Sequence, residues 1–239
     1  MKTNLVLSLA VSLLLLGSCE KNSDPTTEQS GSVLLCNDDG ILSNHEGIKV
    51  SIEGTNLSTI TDAFGNWALT GVIAASQTIV FEKQGYGTYK EVIVPSLEHA
   101  NYMNSFELPV LPEFSIKNLE AKLVSGGNIE VKGEFSIPPQ YSFYRTEVVL
   151  FGKSSSISSD PSTWLFCPST LGSTESTFTI SQSISELYEK GFSAGNTVYI
   201  ISYGTSNRGN KTYFDDKTQK YVYGCLSTAP SNIVSIQLP

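Results

Sequence analysis

A small set of residues in this 239-residue chain has the types and spacing that chemistry needs. Gly191-Phe192-Ser193-Ala194-Gly195 satisfies G-x-S-x-G, the string in which a serine at a sharp turn becomes a nucleophile. That turn needs a strand before the serine, a helix after it, and an Asp and then a His further along. Here a helical turn is predicted before Ser193 and a strand after it, and no His follows His99. The string therefore reads as a Gly/Ser loop, and a serine hydrolase is excluded. The two histidines, His45 and His99, lie far apart and outside any H-x-x-E or H-E-x-x-H string, which makes a poor zinc shell. Polar neighbours place both in surface loops. Asn37-Asp38-Asp39 carries oxygens of the kind calcium takes, but such a run reads first as turn geometry. No acidic pair sits in a setting that would raise a carboxyl pKa for glycoside hydrolysis. No catalytic, cofactor-binding or metal-ligating residue is predicted.

What remains is aromatic. The second half of the chain holds Tyr141, Phe143, Tyr144, Trp164, Tyr213, Phe214, Tyr221 and Tyr223. Exposed rings present large contact area at low entropy cost, suited to a sugar ring or a protein surface. Trp164, Tyr213 and Phe214 are the candidates for such a platform, with Tyr213-Phe214 the most exposed; the alternative is that alternate members fill the core.

The elements that would position these residues are strands. From Gly31 onward, short apolar-alternating runs are separated by Gly, Asn, Asp and Ser: 32–36, 48–52, 78–81 and 91–94 in the first part, and 115–124, 128–135, 146–151, 176–180, 197–203, 221–226 and 233–238 in the second. Ser183 to Gly191 is the exception, a short helical turn with Ser at its cap and Gly at its close. Pro109 and Pro112 mark a stiff connector, and 215–220 a polar hairpin tip. The chain carries 15 Lys and Arg against 23 Asp and Glu, a formal charge of −8, with only 16% charged residues and no basic cluster. Nucleic acid is thereby excluded as a main partner, because its phosphates require a basic footprint.

The first 18 residues carry Lys2, an apolar stretch from Leu5 to Leu16 and then small residues, the pattern of a secretory signal and too short to span a bilayer. Leu16-Gly17-Ser18-Cys19 resembles the lipobox of bacterial lipoproteins, which implies cleavage before Cys19 and lipidation of that residue. Residues 19–30 then read as a flexible polar tether. Removing Cys19 leaves Cys36, Cys167 and Cys225; Cys167 and Cys225 either pair across strands or stay buried as thiols.

Gly47-Ile48-Lys49-Val50-Ser51-Ile52-Glu53-Gly54-Thr55, then Thr61-Asp62-Ala63-Phe64-Gly65-Asn66-Trp67, Val72 and Lys83-Gln84-Gly85-Tyr86 resemble the carboxypeptidase regulatory-like, transthyretin-like β-sandwich family of Bacteroidetes envelope proteins. The physics fits: Asp62 can close an Asx turn, Gly65 can take positive φ, and Trp67 turns inward. That family's usual Pro-containing turn is Ala74-Ala75-Ser76 here. Ser159 to Trp164, Gly195 to Asn207 and Tyr223-Gly224 look like the fibronectin type III-like modules of the same proteins. The expected organisation is a signal peptide at 1–18, a tether at 19–30, a transthyretin-like sandwich at 31–108, a linker at 109–113 and a fibronectin III-like sandwich at 114–239. The expected class is all-β. The resemblances imply a non-catalytic, lipid-anchored cell-envelope protein at the outer membrane, acting as a structural or protein-interaction module. The alternative is a glycan-binding accessory lipoprotein of a carbohydrate-uptake system.

Overall fold

The computed structural model describes residues 26–38, 40–73, 75–94, 101–137, 144–168, 172–209 and 212–239. The expected signal segment at 1–18, Cys19, His99, Asp39, Tyr141 and Phe143 lie outside the described residues. The chain is nearly all β, with antiparallel sheets stacked face to face around apolar cores.

The first eight strands are β1 (Thr26–Asn37), β2 (Gly40–Ile41), β3 (Lys49–Ile52), β4 (Ser58–Ile60), β5 (Asn66–Ile73), β6 (Gln77–Glu82), β7 (Thr88–Ile93) and β8 (Asn101–Pro109). One sheet is built on β1, which pairs antiparallel with β2 and β5 and parallel with β8; the other runs β4-β3-β6-β7. Period-2 alternation sends Val33 and Leu35, Val50 and Ile52, Trp67 and Leu69, and Ile79 and Phe81 into one buried cluster. Phe81 sits at its centre, with ring centroids 5.5 Å from Trp67 and 4.6 Å from Phe106.

The tether expectation fails over residues 26–30. Thr26–Ser30 is the first part of β1, hydrogen-bonded to β5, with Gln29 and Ser30 also paired to β8. Polar residues are stable there because two neighbouring strands satisfy their backbone groups, a tertiary effect that no local apolar pattern announces. Gly31 leaves little room there, since a Cβ would stand 3.0 Å from the Trp67 ring and 3.1 Å from Met103.

The Asx turn forms as the residues imply. Asp62 Oδ1 accepts from the backbone N–H of Phe64 and of Asn66, each at 2.9 Å, and Gly65 holds φ +83°. These donors hold the Asp62 carboxyl below the usual carboxylate range.

The second set of strands is β9 (Ile116–Val124), β10 (Asn128–Phe135), β11 (Arg145–Gly152), β12 (Gly172–Ser173), β13 (Thr177–Ser183), β14 (Thr197–Thr205), β15 (Thr212–Asp215), β16 (Lys220–Tyr223) and β17 (Val234–Gln237), with a six-residue helix α1 (Ile184–Glu189). A sheet β13-β10-β9 faces a sheet β12-β11-β14-β17, and their inner faces enclose Ile129, Val131, Phe135, Val149, Phe151, Val198 and Ile200. Ser183 occupies the N-cap of α1, but its hydroxyl bonds Ser185 and makes no capping bond to the backbone. β11 and β14 are buried on both faces. Their outer side carries a second cluster of Val148, Leu150, Ile201 and Tyr203 beneath Ile157 and Trp164. This explains why Thr146–Phe151 and Val198–Tyr203 read as apolar runs rather than clean alternation.

The two parts meet along a tight joint. The Asp38 carboxylate, just past β1, accepts from Arg145 at 3.3 Å and from the Ser206 hydroxyl at 2.9 Å. Arg145 also lies over the Phe114 ring, 4.7 Å from its centroid, and Phe114 packs on Gly204. The Thr88 N–H donates to the Gly224 carbonyl at 2.9 Å. The expected linker is pinned as well: Val110 N–H donates to Cys36 and Leu111 N–H to Gly85. From this joint the β15–β16 hairpin lies along the flank of β7, where Glu53 accepts from Lys90 at 3.0 Å and from Lys217 at 3.1 Å.

Two predictions follow from this joint. A Cβ at Gly224 would stand 1.8 Å from the Thr88 carbonyl oxygen, a backbone atom. Gly224→Val therefore parts the two sandwiches, and small-angle scattering will show a larger radius of gyration with each sandwich still folded by circular dichroism. Glu53 has its carboxyl held below its ordinary 4.5, first by the Lys90 hydrogen bond and then by Lys217, against a smaller opposing effect of burial. Its contribution is complete above the ordinary value and is lost as pH falls through the lowered one. Urea denaturation should show Glu53→Gln weaker than the parent by less than about 1 kcal/mol at neutral pH, the gap closing as pH falls below the ordinary carboxylate value.

Candidate functional site

The hairpin supplies the exposed aromatic surface. Register pairs Phe214 with Tyr221 and Tyr213 with Val222, so the first pair shares one face of the hairpin and the second pair the other. Phe214 is 37% exposed and Tyr221 70% exposed, and their rings meet edge to face with centroids 5.4 Å apart. Asp215 holds the hairpin tip by accepting from the backbone and the hydroxyl of Thr218, and these bonds lower its carboxyl pKa. Gln219 turns the chain at φ +55°.

The three aromatics singled out from sequence do not form one surface. Phe214 is exposed. Tyr213 is half-buried, with Lys90 Nζ 5.6 Å from its ring centroid, and burial followed by the Asp215 and Glu53 charges raises its phenol pKa. Trp164 is 4% exposed and belongs to the outer cluster on β11 and β14, which corrects its assignment to a platform. Lys220 Nζ lies 4.6 Å from the Trp164 ring centroid and donates to the Pro161 and Trp164 carbonyls, so burial lowers its pKa. Tyr221 is the partner ring on the hairpin that sequence reasoning did not select; Phe64 and Tyr144, also unselected, are exposed elsewhere. Its alternation with Val222, opposite Phe214 across a predicted hairpin tip, is the signal that could have found it.

A groove of about 390 Å³ opens at the joint beside the hairpin. Tyr203, Tyr213 and Tyr223 line it together with Pro161, Thr228 and the backbone of Gly224. Its chemistry is that of phenol rings and hydroxyls, able to stack on a planar or sugar-like face and to exchange hydrogen bonds.

Other sequence candidates have structural duties. Ser193 lies between α1 and β14, and its backbone N–H donates to Asn196 at 3.0 Å; helix precedes serine and strand follows, opposite to a nucleophile elbow. His45 is buried, correcting its placement in a surface loop: Nδ1 accepts from the Leu35 N–H at 2.9 Å, and burial lowers its pKa. The Asp38 carboxylate is bonded across the joint. Among the described residues no group of three His, Cys, Asp or Glu is placed to hold a metal ion. Cys36, Cys167 and Cys225 are thiols and not disulfides. Cys225 Sγ is 3.3 Å from the Val110 carbonyl and Cys167 Sγ is 3.5 Å from the Pro168 carbonyl, so the two do not pair. Burial pushes the Cys167 thiol up to about 12, and burial with the neighbouring Glu107 does the same to Cys36, which leaves both poor nucleophiles.

No protein family and no curated protein matches the chain. Among solved structures, it is similar to a "putative carbohydrate binding protein" from Bacteroides uniformis at 14% identity, covering 88% of this chain and 98% of that one with a TM-score of 0.36. It is similar also to two DUF3823 family proteins. The one from Bacteroides ovatus is 11% identical, with 89% and 100% of the chains covered and a TM-score of 0.32. The one from Parabacteroides merdae is 10% identical, with 85% and 98% covered and a TM-score of 0.28.

Proposed function

We propose that this chain is a non-catalytic accessory protein of the cell envelope, anchored through a lipid on Cys19. Its two sandwiches act as one stiff body that presents the Phe214–Tyr221 pair to a partner protein. The observation that carries this reading is the exposed edge-to-face pair on a hairpin that is itself braced against β7 through Glu53, Lys90 and Lys217. Rings held in place before association bind with less loss of side-chain entropy, and aromatic anchors of this kind dominate the energetics of protein interfaces. The lipobox-like Leu16-Gly17-Ser18-Cys19 supports the anchor. The second reading is glycan binding in the groove of Tyr203, Tyr213 and Tyr223, supported by the three phenols that converge there.

Crosslinking and mass spectrometry in the native envelope separate the readings. Under the first, Phe214→Ala with Tyr221→Ala removes the crosslinks of the hairpin to its partner and leaves the melting temperature within a few degrees. If the double variant keeps its crosslinks and a glycan array instead shows saturable binding that Tyr223→Ala abolishes, the second reading replaces the first. The anchor has its own check: Cys19→Ala should move the protein from the membrane to the soluble fraction, and unchanged fractionation refutes lipidation.

A further inference from the structure

The two ends of β1 lie at opposite poles of the first sandwich. At one pole Thr26 pairs with Ile73 at the end of β5, and Gln29 pairs with Asn101 at the start of β8. Three residues then connect Ile73 to Gln77, which pairs with Ile93 at the end of β7. At the other pole Cys36 pairs with Pro109, and Asp38, Gly87 and Thr88 meet the second sandwich. β9 leaves this joint at Ile116 and runs to Val124, ending at the turn of Ser125 to Gly127. The chain thus enters the first sandwich at the pole opposite the joint, the pole that the tip of the β15–β16 hairpin reaches through Lys217 and Glu53.

Seven peptide steps separate Cys19 from Thr26, and seven extended steps reach at most about 25 Å. β1 alone covers about 40 Å. A membrane anchor at Cys19 therefore cannot bring the joint and the entry pole to the bilayer equally. The entry pole also carries apolar surface: Val94 is 74% exposed and Val92 43% exposed beside Ile93.

We infer that the entry pole of the first sandwich, with Val92 and Val94, is the surface that faces the lipid bilayer, and that the second sandwich projects away from the membrane. The occupant of this face is the bilayer that holds the anchor, because the seven-step connection ends there and nowhere else on the described surface. The exposed valines suit the boundary between head groups and acyl chains. The inference rests on the proposed lipidation of Cys19 and adds the direction in which the molecule stands.

The test uses the full, lipid-modified chain in phosphatidylethanolamine vesicles with an energy acceptor on the head groups. A donor is attached through p-azidophenylalanine at residue 94 or at residue 125. Transfer should be several-fold greater from residue 94 than from residue 125. Equal transfer, or the reverse order, in protein that floats with the vesicles overturns the orientation while leaving the anchor intact. Failure of the intact chain to float overturns lipidation, and the orientation with it.

Discussion

The joint between the two sandwiches turns on a contact between two backbones. Gly224 lies against the Thr88 carbonyl so closely that no side chain fits between them, and Gly87 meets Cys225 in the same way. Because these contacts tolerate no slack, the second sandwich has one seat on the first, and everything nearby inherits that position. The Asp38 carboxylate finds Arg145 and Ser206 only when the seat is taken. The hairpin of β15 and β16 reaches Glu53 only under the same condition. Short-range packing thus converts two small cores into one body, and the polar pairs around the joint choose its angle.

The same constraint shapes the surface chemistry. Ion pairs at partly exposed positions contribute little to stability singly, but Lys90 and Lys217 converge on one carboxylate and orient the hairpin. Strand alternation then separates the two faces of the hairpin. Tyr213 turns toward Lys90 and the groove at the joint, while Phe214 and Tyr221 turn outward. The thiols show the opposite outcome. Cys36 and Cys225 are enclosed at the joint, and at Cys36 burial suppresses the thiolate on which cysteine chemistry depends.

Local signals were strong wherever a residue answered to its immediate neighbours. Asp62 and Gly65 announced their turn through a short side chain and a tolerance of positive φ, and the structure makes the expected bonds. Val50 and Ile52, or Ile129 and Val131, declared a buried face through period-2 alternation. Thr26–Ser30 announced nothing, because its stability comes from two strands remote in sequence, β5 and β8. His45 misled in a similar way. Its neighbours are polar, but the backbone of Leu35, ten residues earlier, gives its ring a buried partner.

Composition and alternation by themselves determined an all-β chain, many of the strands observed though not β4, β5 or β8, a hairpin tip at 215–220 and the turn at Asp62, since each depends on propensities within a few residues. Tertiary structure decided which aromatics face water. Trp164 and Tyr221 are both large rings beside polar loops, and no local pattern separates them. Trp164 lies over the outer face of β11 and β14 and is covered by Lys220, whereas Tyr221 touches the Phe214 ring and stays 70% exposed. Burial is settled by what the rest of the chain brings alongside a residue, and that information is held at long range.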